Sequence, residues 1–378
     1  MKLTEESYNH AILVLEHCAK QTGFYASGLP GGYEALWARD SMITSIGASL
    51  VDNKFKKTFE KSLKLLSDHQ SKLGQIPNCV GDYNFDRKSR ITFNTIDSSL
   101  WYIIGHYAYK DIYKETKLIK KYKKNIDKAM IWLYYQDPNE DTLLAQQPTM
   151  DWLDAFPHKY GHTINTQALY YGTLKMSGQY KLAEHLKKIV NGNIEKYLSL
   201  YNKKLGYYLP WNWKNHDNER EEEYWFDTFG NLLAIITGLA TKNIANNILG
   251  YIEKYQVNKP YPCKSIFPPI KEGDKEWHSY FTKCASGSPF QYSNAGIWPF
   301  IGGWYVAALV KMKRYAKAKK ELEFLAQANK NGVKLEWEFN EWLDGKTGKP
   351  KGSPYQAWNA GSYIFAYHSV KEKKVKIF

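Results

Sequence analysis

Apolar residues recur at helical spacing along nearly the whole chain, and this pattern predicts an all-helical protein. In one kind of segment they occupy a single face, as Phe59, Leu63 and Leu66 do. In the other kind the residues are apolar nearly all round, as in 228–240 and 296–310. We predict twelve helices, at residues 4–22, 40–52, 54–70, 95–112, 116–136, 163–178, 180–200, 227–240, 243–255, 294–311, 314–329 and 355–369.

The two kinds of helix alternate, and the even-numbered helices are the uniformly apolar ones. A helix that is apolar on all sides must be buried, whereas an amphipathic helix covers it. Six buried helices alternating with six covering helices are typical of an (α/α)6 barrel, here one domain spanning residues 1–378. The apolar run 297–310 contains Pro299 and is shorter than the roughly 20 residues of a membrane span, so we predict a buried helix there.

Polar and aromatic residues with chemical capability collect where the even-numbered helices begin. Since these helices run in the same direction, we expect their N-termini to converge on one funnel. Each residue taken alone has an ordinary alternative role as a helix cap. The cluster comprises Trp37, Arg39, Asp40, Asn94, Asp97, Asp151, Asp154, His162, Asn165, Trp225, Asp227, Asn294, Trp298, Gln356, Trp358 and Asn359.

The loop at 336–351 places several carboxylates among aromatic rings, which favours sugar chemistry. Hydrolysis of a glycosidic bond needs one protonated and one ionised carboxyl group, about 6.5–9.5 Å apart if the reaction inverts configuration. Asp97 precedes a strongly apolar stretch, so burial is expected to keep it protonated. Glu341 is our candidate base, although the residues alone separate it poorly from Glu338.

Composition is that of a soluble globular protein, with 43% hydrophobic and 24% charged residues and a mean hydropathy of −0.56. The net charge of +14 comes mostly from lysines at 117–128 and 311–320, which we interpret as solvated helix faces. We therefore expect neither a nucleic acid nor a membrane partner. Aromatic residues make up 16% of the chain, which favours a carbohydrate cleft.

No cofactor or metal motif stands out in the sequence. Cys18, Cys79, Cys263 and Cys284 form no C-x-x-C pair, so a reducing compartment is predicted. His158 and His162 have a spacing that metal ligands use, but a third ligand is not evident. Because the polar, acidic N-terminus does not match a signal peptide, we expect a cytoplasmic protein.

Seven stretches in order along the chain resemble the neutral/alkaline invertase family of glycoside hydrolases, and more distantly the glucosidase domain of glycogen debranching enzymes. Both groups use an (α/α)6 barrel, so the resemblance implies that fold and a glycosidase activity. The stretches are 36–41 (LWARDS), 97–104 (DSSLWYII), 161–171 (GHTINTQALYY), 228–241 (TFGNLLAIITGLAT), 292–300 (YSNAGIWPF), 340–348 (NEWLDGKTG) and 355–361 (YQAWNAG).

The resemblance implies that Asp97 is the general acid and Glu341 the general base of an inverting hydrolase. Its substrate would be a disaccharide or small oligosaccharide, with sucrose and α-glucosides as candidates. For Trp37, Arg39 and Asp40 the resemblance also implies contacts with sugar hydroxyls. The full set of substrate contacts that we predict is Trp37, Arg39, Asp40, Asn94, Trp101, Asp151, Asp154, His162, Asn165, Gln167, Asn294, Trp298, Trp342, Asp344, Gln356 and Trp358.

Three departures from the family pattern bear on the substrate. Asn165 replaces a Glu, Ser293 replaces a His, and Ser353 replaces an Arg. A site that hydrogen-bonds sugar hydroxyls discriminates through such groups, so the departures weaken sucrose as the substrate. Two other readings stay open: a sugar epimerase or isomerase using His106, His162 or His278, and a non-catalytic glycan-binding protein.

Overall fold

The computed structural model describes residues 2–82, 89–214, 219–283 and 285–378. Helices dominate this part of the chain. They are α1 (Leu3–Cys18), α2 (Ala38–Ala48), α3 (Lys56–Asp68), α4 (Asp97–Tyr113), α5 (Lys117–Lys121), α6 (Lys123–Tyr134), α7 (Ile164–Met176), α8 (Tyr180–Val190), α9 (Thr228–Thr237), α10 (Lys242–Lys254), α11 (Pro299–Lys311), α12 (Tyr315–Lys330) and α13 (Ala357–Glu372).

Six inner helices form a closed ring. Helices α2, α4, α7, α9, α11 and α13 contact one another in that order, and α13 packs back on α2. Helices α1, α3, α8, α10 and α12 lie outside the ring, and α5 and α6 share the remaining outer position. The predicted (α/α)6 barrel is confirmed.

Burial separates the two kinds of helix as the apolar pattern requires. In inner helix α11 every residue from Pro299 to Val310 is buried, which confirms the buried helix predicted there. In outer helix α8 only Ala183, Leu186, Ile189 and Val190 are buried, on one face. The lysines at 117–128 lie on the exposed side of α5 and α6.

Several helix boundaries differ from the prediction. The helix predicted at 180–200 ends at Val190, because Gly192 adopts a φ of +74° just beyond it. The helix predicted from 294 begins at Pro299, since proline suits the first turn, where its missing N–H costs nothing. The first helix ends at Cys18, and the fifth is interrupted at Tyr122.

Short strands, which the sequence did not predict, connect the helices. At two to four residues each, they are too short to show an alternating pattern. Several lead directly into inner helices, and their pairing fixes where those helices begin. The strands are β1 (Ala19–Lys20), β2 (Gly23–Phe24), β3 (Ala35–Trp37), β4 (Cys79–Gly81), β5 (Ile91–Thr92), β6 (His162–Thr163), β7 (Tyr201–Asn202), β8 (Tyr207–Tyr208), β9 (Trp211–Lys214), β10 (Arg220–Glu222), β11 (Phe226–Asp227), β12 (Ile266–Phe267), β13 (Trp342–Leu343) and β14 (Pro350–Lys351).

The pairing is antiparallel throughout the described strands, as β1-β2, β3-β4-β5, β6-β9-β10, β7-β8, β11-β12 and β13-β14. Among the described helices, none is both long and apolar enough to cross a membrane. Cys18 and Cys263 are buried free thiols, Cys79 is also buried, and Cys284 lies outside the described residues.

Candidate active site

A cavity of about 60 Å³ opens at the end of the barrel where the inner helices begin. Its wall includes residues that flank the first turns of α2, α11 and α13. The predicted convergence of helix N-termini therefore produces a pocket. The lining residues are Ala26, Tyr33, Trp37, Arg39, Asp40, Trp152, Asp154, Tyr292, Ser293, Trp298, Glu341, Gln356 and Trp358.

Arg39 is the electrostatic centre of the pocket. Strand β3 delivers it into the first turn of α2, where its guanidinium lies 3.3 Å from Asp97, 3.5 Å from Asp40 and 3.8 Å from Asp154. Burial alone would lower the pKa of Arg39, but these three carboxylates raise it. Burial also raises the pKa of Asp40 to about 6, despite the neighbouring guanidinium.

Glu341 is the carboxylate from the C-terminal part of the chain that reaches the same pocket. Tyr33 donates a hydrogen bond to its Oε1 at 3.1 Å, and the Ser353 N–H donates to its Oε2 at 3.2 Å. Burial, with only 5% of the residue exposed, raises the pKa of Glu341 to about 7. The negative charges of Asp40 and Asp154 act in the same direction, so these carboxylates are electrostatically coupled to Glu341.

The backbone at residues 352–353 leaves room for the side chain of Glu341. Gly352 has a φ of +74°, and a Cβ there would lie 2.6 Å from Glu341 Oε2. The Glu341 N–H also donates to the Ser353 carbonyl at 2.9 Å. Glycine at this position is therefore required both by conformation and by space.

Glu338, the other candidate base, points away from the cavity. Its carboxylate accepts hydrogen bonds from the N–H groups of Val333, Lys334 and Leu335 at 2.8–3.1 Å. Burial would raise the pKa of Glu338, but these bonds lower it overall. Its contacts are those of a loop-organising residue, and the geometry separates it from Glu341 where the residues alone could not.

Asp97, the general acid expected from the sequence, does not line the cavity. Its side chain is fully buried at the start of α4 and forms an ion pair with Arg39. A general acid has to reach the glycosidic oxygen, whereas Asp97 reaches only the guanidinium. Its position instead suits a residue that holds Arg39 in place.

Asp154, unlike Asp97, is open to the cavity. Its side chain lines the cavity, is 37% exposed, and lies 3.8 Å from the Arg39 guanidinium. The sequence predicts only a sugar contact for Asp154. Asp40, Asp154 and Glu341 are the carboxylates that line the cavity, and Asp154 is the most exposed of them.

Aromatic rings form much of the remaining wall. Sequence reasoning identified Trp37, Trp298 and Trp358 but not Tyr33, Trp152 or Tyr292. For Trp152 a signal existed, because it stands between Asp151 and Asp154, which were both named. Tyr33 follows a glycine-rich loop that carries no periodic signal.

A buried ion-pair cluster holds the segment that carries Trp152 and Asp154. The Lys159 ammonium lies 2.9 Å from Asp151 and 3.0 Å from Asp227, and the three side chains are fully buried. Burial alone would lower the pKa of Lys159, but the two carboxylates raise it. Because Asp227 also caps α9 through the Gly230 N–H at 3.0 Å, the cluster ties this segment to an inner helix. Asp151 is thus a structural residue and not a cavity residue.

Several other expected sugar contacts hold the structure together instead. Trp101 is buried and packs edge-on against Trp304, with ring centroids 5.8 Å apart. The Gln167 amide bonds both backbone groups of Leu144, and the Asn294 amide bonds those of Ile270.

The remaining expected contacts also lie outside the cavity lining, although Asp344 and Trp342 flank Glu341 in sequence. Asp344 accepts hydrogen bonds from the turn N–H groups of Lys346 and Thr347, and Trp342 packs edge-on against the cavity residue Tyr292. The others outside the lining are Asn94, which is half-buried, and His162 and Asn165, which are buried in β6 and α7.

The described part of the chain places no histidine in the cavity lining. His106 is buried beside Tyr102 and Tyr122, and burial lowers its pKa to about 3. His162 packs against Trp213, and burial lowers its pKa to about 4. His278 stacks on His158 with ring centroids 4.6 Å apart. An epimerase that uses one of these histidines is therefore not supported.

Comparison with solved structures defines the class of protein as an (α/α)6 barrel of the kind that glycosidases use. A GH63 mannosylglycerate hydrolase from Thermus thermophilus superposes with a TM-score of 0.69, at 13% identity over 95% of this chain and 99% of the other. A rhamnosidase from Klebsiella oxytoca superposes with a TM-score of 0.63, at 14% identity over 97% of this chain and 64% of the other. At these identities the likeness concerns the fold.

Sequence comparison points to one family within that class. A family model described as alkaline and neutral invertase matches residues 188–373, just under half of the chain. Neutral/alkaline invertase 1 of Oryza sativa subsp. japonica, described as mitochondrial, is 31% identical over 38% of this chain and 22% of its own length. A probable chloroplastic alkaline/neutral invertase A of Arabidopsis thaliana is 24% identical over 71% of this chain and 50% of its own length. The resemblance to the invertases is confirmed, and the chain spans half or less of these relatives.

Proposed function

We propose that the protein is a glycoside hydrolase that acts on a small saccharide. The observation that carries the proposal is one cavity in which Asp154 and Glu341 are both accessible to a substrate between aromatic walls. Aromatic rings stack on the C–H faces of sugars, and a pair of carboxyl groups is what glycosidic cleavage requires.

In the proposed reaction, Asp154 donates a proton to the glycosidic oxygen as the bond from this oxygen to the anomeric carbon breaks. Glu341 takes a proton from a water molecule, whose oxygen forms the new bond to the anomeric carbon from the opposite face. The products are two free sugars, one of them released with inverted configuration. Asp97 acts through Arg39 as a positioning residue.

The charge balance of the cavity supports this reaction. One guanidinium faces the carboxyl groups of Asp40, Asp97 and Asp154, and the Glu341 carboxyl group lies in the same cavity. The transition state of glycosidic cleavage resembles an oxocarbenium ion and is positively charged. An excess of carboxyl groups stabilises that charge, although the chain as a whole carries a net charge of +14.

Buried donors in the wall suit recognition of sugar hydroxyls. Trp152, Gln356 and Trp358 line the cavity, and the buried Trp152 Nε1, Gln356 Nε2 and Trp358 Nε1 have no hydrogen-bond partner within the described part of the chain. An unpaired buried donor carries a desolvation penalty, and a ligand that supplies an acceptor removes this penalty. Sucrose and α-glucosides supply such hydroxyls, and Ser293, one of the three family departures, also lines the wall.

Incubation with a panel of disaccharides tests the function directly. We include sucrose, maltose, trehalose and isomaltose, and expect new free sugars from at least one of them. Proton NMR during the first minutes is expected to show the inverted anomer before mutarotation. Changed sugar identity without cleavage would indicate an epimerase, and binding without turnover would indicate a glycan-binding protein.

The pH dependence tests Glu341 as the base. It must be ionised to accept a proton, so kcat/KM is expected to fall as the pH drops below about 7. The Tyr33 hydrogen bond stabilises the carboxylate, so Tyr33→Phe should move this acid limb to higher pH. Tyr25→Phe removes a hydroxyl from the same segment and should leave the limb in place. If the acid side of the kcat/KM profile does not move in Tyr33→Phe, a group other than Glu341 controls it.

We also propose that the chain forms one barrel domain and that it works in the cytoplasm. The hydrophobic cluster runs from Ala11 to Ile377 without division, which supports a single core. The buried free thiols of Cys18 and Cys263 are compatible with a reducing compartment.

A further inference from the structure

A second, larger groove lies at the same end of the barrel as the cavity. Its volume is about 400 Å³. Ile96, which precedes α4, and Gly161, which precedes β6 and α7, both line it. Hydrogen bonds join these two positions to the intervening segment, from Ile96 N–H to the Met150 carbonyl and between Gly161 and Gln146 in both directions, each at 2.9 Å. Residues 146–161, which these hydrogen bonds attach to the groove, also include Trp152 and Asp154 of the cavity wall.

Four aromatic side chains line the groove: Trp132, Tyr135, Tyr160 and Trp213. Tyr135 is 81% exposed at the end of α6, which is unusual for a ring of this size. Gly161 has a φ of +68°, and a Cβ there would lie 2.7 Å from the Trp213 ring. The glycine therefore lets this ring lie directly against the backbone of the groove.

The polar groups of the groove are neutral. Gln136, Gln146 and Gln147 line it, and none of its described lining residues carries a charged side chain. In a chain with 24% charged residues, this favours a neutral ligand over a nucleotide or an acidic peptide.

Gln146 supplies an independent indication of a ligand. The residue is 6% exposed, and its Oε1 accepts hydrogen bonds from Thr163 at 2.8 Å and Thr166 at 2.6 Å. Its orientation is thereby fixed, and its Nε2 has no partner in the described part of the chain. A fixed, buried donor on a residue that lines the groove can be satisfied by an acceptor from a ligand.

We propose that this groove is a second carbohydrate-binding site, which takes a neutral saccharide chain of two or more sugar units. Aromatic rings provide stacking surfaces, and the glutamines provide hydrogen bonds to hydroxyl groups. The volume exceeds that of the cavity several-fold, which suits a longer ligand. Its ligand class agrees with the proposed hydrolase, but binding in the groove requires no catalysis.

The test uses the full chain carrying Glu341→Gln, so that the probes are not consumed. Maltoheptaose, cellohexaose and mannohexaose are titrated separately by isothermal calorimetry. We expect at least one to bind, and Tyr135→Ala to weaken that binding about tenfold through loss of a stacking surface. Tyr180→Ala is the matched control, since this tyrosine is 64% exposed on α8 and lies outside the groove.

The proposal is overturned if none of the three probes binds, or if Tyr135→Ala and Tyr180→Ala bind equally well. Circular dichroism confirms that both variants retain the fold. The outcome is independent of the proposed hydrolysis. If the protein with Glu341 intact cleaves saccharides but binding of the probes does not depend on Tyr135, only the proposal of a second binding site is refuted. Conversely, Tyr135-dependent binding by a chain that cleaves no saccharide would refute only the hydrolase.

Discussion

Replacing Glu341 with Gln is expected to lower kcat by more than about 100-fold, because the amide cannot take a proton from the attacking water. The two side chains have nearly the same volume, so the protein should fold normally. Azide is expected to restore turnover, since this anion attacks the anomeric carbon without a base. The product to detect by mass spectrometry is a glycosyl azide, with the anomeric configuration inverted.

Two neighbouring glutamates provide matched controls for this result. Glu336→Gln changes a solvent-exposed side chain and should leave kcat unaltered. Glu338→Gln should reduce thermal stability through its loop contacts while turnover persists. If Glu338→Gln loses activity and Glu341→Gln keeps it, the base has been assigned to the wrong residue.

Replacing Asp154 with Asn should also reduce turnover of a natural saccharide by more than about 100-fold, because the leaving oxygen then departs without a proton. The loss should shrink greatly on an aryl glycoside of the same sugar, whose phenolate leaves readily on its own. Azide should not restore activity in this variant. Comparing kcat/KM on the two substrates measures the role of the proton donor.

Asp97→Asn distinguishes a donor from a positioning residue. Asp97 contacts Arg39 and not the cavity, so its loss should reduce activity by similar factors on both substrates. The melting temperature should also fall, because a buried guanidinium loses one charged partner, at a cost of roughly 1–3 kcal/mol. If instead the loss of kcat/KM in Asp97→Asn shrinks greatly on the aryl glycoside, Asp97 is the general acid.

The candidate site was predicted in part because helix starts are visible in a sequence. Trp37, Arg39 and Asp40 directly flank an inner-helix start, and the barrel brings them to the cavity as expected. For Asp97 the sequence shows only that the residue is buried, which fits either a shifted proton donor or a buried ion pair, and the tertiary structure adds its ion pair with Arg39. Tyr33 and Trp152 were missed because they lie on loops without a repeating pattern.

The sequence by itself determined the architecture. The alternation of uniformly apolar and one-sided helices depends only on which residues must leave water, and burial in α11 and α8 follows it. Tertiary structure alone decided which carboxylates meet. Asp154 and Glu341 are far apart in the chain and lie on segments whose course depends on short strand pairings, the Lys159 ion pairs and Gly352. Such contacts produce no repeating pattern in the sequence, because each of them joins two positions that are far apart in the chain.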